Sequence, residues 1–377
     1  MYYVRELTRK LPGFFVLSQM VKTVFYGTET MLENRLENGM NVKEKTEMLQ
    51  QNEAPLAKLL AEKERLVIDG SMGTALEQLG CSLNDRLWTA RVMAEKPELV
   101  KQVHLQYMRA GANLHITNSY QASVRGLTEN GFSAEEAERV IRSSVRVCRE
   151  ARGEWWNEVR DQEDRVWPLV CGGVGPYGAY LADGSEYTGN YKDVSEKELR
   201  LFHEDRMRFL AEEGADLLLI ETQPSLREVL VEAEIAEALG KEFWISFSCR
   251  DGRHINEGTP ISECMRSLND RFPHLRMVGV NCTMPVFIES LIREIRANTD
   301  LPVAVYPNSG ETYDPVTKTW HGGDGSFSFE QYAFRYYQAG ARAVGGCCTT
   351  TADHISQVAA VSRKMTAGMA APRTAAP

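Results

Sequence analysis

No apolar run in the sequence reaches the roughly 18 to 20 residues that a bilayer-spanning helix needs. The most leader-like stretch, basic Arg5 to Lys10 followed by Leu11 to Val21, is broken by Pro12, Gly13, Ser18 and Gln19 and has no small-x-small cleavage site, so it does not read as a secretory signal. Basic excess is also missing. With 43 Lys and Arg against 52 Asp and Glu the formal net charge is -9, and no Lys/Arg run is interleaved with aromatics, which argues against a nucleic-acid partner. The eight cysteines (Cys81, Cys148, Cys171, Cys249, Cys264, Cys282, Cys347 and Cys348) lack the dense, regular spacing of a secreted disulfide scaffold and fit reduced thiols of a cytoplasmic protein. The histidines (His104, His115, His203, His254, His274, His321 and His354) show no H-E-x-x-H or related ligand spacing. His115 reads as a strand residue and the others as mostly surface, with His321, beside Trp320, a candidate pocket member.

What is present describes an ordinary globular protein: 43% hydrophobic and 25% charged residues, enough to bury a full core. A length of 377 residues could hold two domains, but a parallel α/β barrel takes about 250 or more residues as one. The first 64 residues alternate basic, acidic and Gln-rich patches and read as an N-terminal extension, partly helical or disordered, with one clear helix over Ala54 to Glu64. Met40 is a candidate start, with residues 1–39 an upstream arm. Residues 363–377, Ala- and Pro-rich from Ala367 onward, read as a disordered tail.

Between these ends, residues 65–362 alternate short apolar β-branched runs with longer amphipathic segments, the pattern of βα units on a parallel sheet. Eight strands are expected: Leu66–Asp69, Asn113–Thr117, Trp167–Cys171, Asp216–Glu221, Phe243–Cys249, Met277–Cys282, Pro302–Tyr306 and Ala343–Cys347. Three intervening helices end in near-copies of one phrase, with Gly111, Gly214 and Gly340 placed to close a helix in the left-handed conformation before the next strand begins. All strands then run the same way, which favours a closed (β/α)8 TIM barrel over an open doubly wound sheet, because closure removes the edges.

In such a barrel the reacting groups follow the strands. Cys282 follows the sixth, and Cys347 with Cys348 the eighth. Three soft thiolates with a fourth position open suit a catalytic zinc ion, and Gly345 and Gly346 give the backbone freedom for two adjacent cysteines to face one point. The 65-residue gap between Cys282 and Cys347 matches no local zinc pattern, so buried core thiols and a strained redox disulfide stay open on these residues alone. Cys249 reads as core or wall. Asp69 and Glu221 end apolar strands, where a lone carboxylate is expensive, so each needs a partner. A ligand ammonium would serve, as would a rim salt bridge or, for Asp69, a helix N-cap. Gly172-Gly-Val-Gly175 is more simply a close backbone approach to a substrate or neighbour than a phosphate cradle.

Six phrases together resemble the homocysteine S-methyltransferases: Asp69-Gly-Ser-Met-Gly-Thr74, Gly175 to Tyr187, Ile220-Glu-Thr222, Gly279-Val-Asn-Cys282, Tyr306-Pro-Asn-Ser-Gly-Glu311 and Gly345-Gly-Cys-Cys348. The likeness spans residues 65–362, and Gly175 to Tyr187 with Tyr306 to Glu311 are most similar to the branch that uses S-methylmethionine, with S-adenosylmethionine a lesser donor. The resemblance implies zinc held by Cys282, Cys347 and Cys348, with Asp69 and Glu221 receiving the homocysteine ammonium and Asn118 and Tyr120 lining the amino-acid pocket. It departs from the family at the long N-terminal arm and at Ser119 and Gln223. The implied reaction moves a methyl group from the sulfonium to the homocysteine thiol and yields methionine, with small-molecule substrates and neither nucleic acid nor membrane as partner. The alternatives are betaine or methyltetrahydrofolate as donor, a folate enzyme being expected to carry extra domains. A Schiff-base aldolase would need a strand-end lysine that is not found, and a non-catalytic zinc or redox thiol protein would need a fourth ligand or a disulfide.

Overall fold

The computed structural model describes residues 54–162, 165–191, 193–310, 312–314, 319–321 and 328–368. Eight parallel strands form one sheet: β1 Leu66–Val67, β2 Leu114–Ile116, β3 Leu169–Val174, β4 Leu217–Gln223, β5 Phe243–Phe247, β6 Leu275–Asn281, β7 Val303–Tyr306 and β8 Ala343–Val344. Each neighbours the next in sequence, and β8 returns to pair with β1 in the register Leu66↔Ala343. The seam between β1 and β2 is closed by a parallel bridge between Ile68 and Leu114, with the Asn113 N–H donating to Val67 O at 2.7 Å and the Asp69 N–H to Leu114 O at 3.0 Å. This is the expected (β/α)8 barrel.

Each strand is followed by one main helix, with shorter helical turns in the first three loops: α2 Pro97–Ala110, α3 Ala134–Val159, α4 Glu196–Glu212, α5 Leu226–Ala238, α6 Ile261–Leu268, α7 Pro285–Arg296, α8 Phe329–Ala339 and α9 Ala352–Thr366, preceded by α1 Pro55–Glu62. Strand alternation divides the core in two. Leu66, Ile68, Leu114, Leu169, Leu217, Leu219, Trp244 and Met277 fill the barrel, while Val67, Val170, Leu218, Ile220, Ile245, Val278 and Val305 pack against the helices. Gly111, Gly214 and Gly340 have φ of +104°, +92° and +107°, as the recurrent phrase requires. No described helix is long and apolar enough to cross a membrane.

Four expectations change. α1 is not part of a separate extension: Leu56 and Leu59 pack with the residues inside the barrel, the Leu56 N–H donates to Glu242 Oε2 at 2.7 Å, and Arg342 donates to the carbonyls of Leu60 and Lys63 at 2.6 and 2.8 Å. A carboxylate at its N-terminus and a guanidinium at its C-terminus suit the helix dipole. The barrel therefore takes in residues before the expected boundary at 64. At the other end α9 runs on to Thr366, beyond the expected boundary at 362. β1 and β8 are shorter than their apolar runs, because each hands over to a loop at the same end of the barrel. His104 and His203 are fully buried rather than surface residues, their helices being packed between the barrel and neighbouring helices. Residues 1–53 with Met40, the segment 369–377 and the side chain of His321 lie outside the described residues.

Candidate metal centre and substrate pocket

Cys282, Cys347 and Cys348 meet at the carboxyl end of the barrel. Cys348 Sγ lies 3.8 Å from Cys282 Sγ and 4.0 Å from Cys347 Sγ, and all three sulfurs are within 4.8 Å of one another. Three corners of a tetrahedron about 2.3 Å from a zinc ion would stand about 3.8 Å apart, so the donor set fits a soft divalent cation. The eight cysteines are free. Cys347 is the sulfur most readily ionised, since thiol contacts from Cys282 and then Cys348 pull it well below the ordinary range.

The backbone that assembles this trio is tightly built. Cys282 sits at φ +47°, in the region that costs a non-glycine residue energy, and its N–H is held by Tyr306 O. β8 ends before the cysteines, so the strict two-sided alternation of a strand no longer applies to them. The two glycines before Cys347 serve a different purpose from the one expected: neither has positive φ. A Cβ on Gly345 would come within 2.6 Å of Ile68, and one on Gly346 would meet Thr350. They are small because other chain segments pass close by.

Two carboxylates stand beside the thiols. Asp69 is 2% exposed; its Oδ2 accepts the Ile116 N–H at 2.9 Å, and its Oδ1 is buried with no partner. Burial raises its carboxyl well above the usual range. Neither bland account of Asp69 survives. Ser71 is the N-cap of the following helix Met72–Gln78, and the nearest cation candidate is His115, 3.8 Å away, which burial holds down to about 3 and therefore neutral. Glu221 is 5% exposed and is likewise raised by burial, with Cys347 and Asp69 adding like charge. It lies over Gly173, where a Cβ would come within 2.7 Å of its Oε1. The glycines at the end of β3 thus make room for neighbouring side chains.

The remaining candidates lie close by. Asn118 is buried, and its amide donates to Thr89 O at 3.1 Å. Tyr120 meets Trp88 edge to face at 6.4 Å between centroids and packs against Gly175; burial raises its hydroxyl, as do Glu186 and then Cys282 nearby. Cys249 is buried wall, as expected.

Asn281 had not been singled out. Its Nδ2 donates to Thr222 Oγ1 at 2.7 Å and to Cys347 Sγ at 3.8 Å, while its Oδ1 accepts the Thr222 N–H at 2.9 Å. One amide thereby ties the Glu221 strand end, itself strained at Thr222 with φ +58°, to a candidate ligand. Its place in the Asn281-Cys282 pair was the available signal. A cleft of about 620 Å³ lined by Met93, Lys101, Phe132 and Arg146 lies in the helix layer and includes none of the strand-end candidates.

Three partly buried thiols and two buried carboxylates, with no lysine or arginine ion-paired to either acid among the described residues, make a pocket for a cation beside a set of soft donors. The homocysteine S-methyltransferase family model matches residues 66–362. The chain is 46% identical over 316 residues to the homocysteine S-methyltransferase YbgG of Bacillus subtilis, spanning 82% of this chain and 98% of that protein. It is 42% identical over 307 residues to homocysteine S-methyltransferase 1 of Zea mays, spanning 80% and 95%. The metallated crystal form of the homocysteine methyltransferase MmuM from Escherichia coli matches with a TM-score of 0.73 and 38% identity, covering 81% of this chain and 99% of that one. On this evidence the chain is a (β/α)8-barrel enzyme that belongs to the homocysteine S-methyltransferase family.

Proposed function

We propose that the enzyme is zinc-dependent, that Cys282, Cys347 and Cys348 hold the ion, and that its donor is S-methylmethionine, with S-adenosylmethionine a poorer substitute. The observation that carries the reading is the trio of sulfurs at tetrahedral spacing beside Asp69 and Glu221. Bound there, zinc would lower the pKa of an acceptor thiol, and three cysteinates would keep that thiol's sulfur electron-rich.

Asp69 and Glu221 receive the homocysteine ammonium, which supplies the positive charge that both buried acids lack. Asn118 and Tyr120 shape the wall of the amino-acid pocket. The homocysteine sulfur attacks the sulfonium methyl carbon, the donor's carbon–sulfur bond breaks, and its electron pair stays on a neutral thioether. The departing group needs no proton, so no general acid is required. What the chain contributes to rate is alignment of two sulfurs about one carbon. The free thiols and the absence of a membrane-spanning helix among the described residues support a cytoplasmic enzyme acting on small molecules.

The donor is tested by following methionine formed from homocysteine with S-methylmethionine, S-adenosylmethionine and betaine side by side. The first should give the highest kcat/KM and betaine none above background. A betaine rate equal to that of either sulfonium would overturn the donor assignment.

A further inference from the structure

A buried polar cluster lies behind the loop that follows β3, outside the residues assigned to the chemistry above. His203 and Arg206 project from α4 at i,i+3, and Glu228 and Glu232 from α5 at i,i+4, so each pair shares one helix face. All four are at most 2% exposed. His203 Nε2 is 2.7 Å from Glu228 Oε1, and its Nδ1 is 3.0 Å from Glu232 Oε1. The same Glu228 oxygen accepts the Tyr177 N–H at 2.6 Å, while the Arg206 guanidinium donates to the Gly175 carbonyl. The backbone groups on either side of Pro176 are thus gripped by one anion and one cation.

Three of these side chains bring ligand atoms within 4.8 Å of one another, but a metal is the poorer occupant. The two nitrogens of one ring face two different carboxylates, and Arg206 already supplies the positive charge. His203 Nε2 is hydrogen-bonded to Glu228, whereas at Nδ1 the approach to Glu232 makes no hydrogen bond, leaving that nitrogen and both Glu232 oxygens buried without a partner among the described residues. Burial holds His203 down to about 4 and raises Glu232 well above the usual carboxylate range, so the buried site favours the neutral form of each. Glu228 and Arg206 then balance each other. Such a pair is no cheap source of stability compared with an apolar core of equal volume, so the geometry it fixes is where its use lies. That geometry leads to the pocket, because the Gly175 backbone is pressed against Tyr120, whose ring a Cβ at Gly175 would meet at 2.6 Å.

We propose that His203, Arg206, Glu228 and Glu232 are positioning residues that lock the Gly175–Tyr177 segment, and through it Tyr120, so that donor and acceptor sulfurs align. The inference rests on the pocket assignment made above for Tyr120.

The test compares Arg206→Lys, which keeps the charge and loses the forked reach, with Arg206→Met, which loses both. Leu268→Ala in α6 serves as a destabilised control on another face of the barrel. For each, kcat, both KM values, metal per chain and amide exchange in the 175–187 segment are measured. Misalignment of the order of 1 Å predicts kcat lower by about 100-fold in Arg206→Met and about tenfold in Arg206→Lys, with metal content unchanged and Tyr177 exchange faster in the same order. The Leu268→Ala control should keep its kcat. Should Arg206→Met fail to fold, Arg206→Lys decides. The proposal is overturned by unchanged kcat with unchanged Tyr177 exchange in folded Arg206→Lys, by an equal kcat loss in the control, or by metal content falling in step with activity. Methyl transfer absent from the wild type with every donor would instead sink the functional reading, and the exchange data would still decide the loop.

Discussion

Burial raises the carboxyl of Glu221, with Cys347 and Asp69 adding like charge and Arg206 a weaker opposing one, and among the described residues no lysine or arginine forms an ion pair with it. A carboxyl in that state is ionised at less cost when a further positive charge arrives, and the homocysteine ammonium is the group proposed to bring it. Glu221→Gln should therefore raise KM for homocysteine by about 10- to 100-fold, the worth of one charge-assisted hydrogen bond, while changing KM for the donor by less than about twofold. Initial-rate measurements varying each substrate in turn would show it; equal effects on both would assign Glu221 elsewhere. At this scale the sequence is informative where chemistry sits on strand ends, as for Cys282, Cys347, Cys348, Asp69 and Glu221. It is silent where function depends on orientation. Asn281 reads only as a neighbour of Cys282, and Arg206, Glu228 and Glu232 read as ordinary helical charges, because nothing in a periodic pattern says that two helix faces will meet over a backbone carbonyl.

The helix α1 shows the same limit one level up. Its amphipathic pattern fixes that it is a helix but not what covers its apolar face, and the structure places Leu56 and Leu59 across the bottom of the barrel, clamped by Glu242 and Arg342. Burying each leucine is worth about 1.5–3 kcal/mol. A chain beginning at Arg65 should accordingly lose roughly 3–6 kcal/mol of stability in urea unfolding, whereas one beginning at Met40, which keeps α1, should match the full chain in activity and midpoint. Equal midpoints for the two truncations would remove α1 from the barrel's energetics. The strands, by contrast, were countable from sequence, since eight apolar runs, three of them entered through a helix-closing glycine, leave little choice of direction. Their lengths were not, because an apolar run cannot show where a ladder yields to a loop, as β8 does before Gly345.

For the molecule as a whole, closure is what makes the centre possible. β6 and β8 are separated by one strand in the sheet, Cys282 and Cys347 by 65 positions of chain, and only a closed parallel barrel brings both carboxyl ends, with those of β1 and β4, round one mouth. No local spacing could disclose the trio; topology does. The central claim is that a metal held by three cysteines activates the acceptor thiol, and the most direct measurement is metal stoichiometry together with methionine formation on enzyme purified under reductant. One zinc per chain is predicted, with activity lost on chelation, restored by zinc, and both metal and activity absent in Cys282→Ala, Cys347→Ala and Cys348→Ala. Undiminished methylation of homocysteine by the chelated enzyme, or full metal content with normal turnover in any one of the three variants, would contradict it.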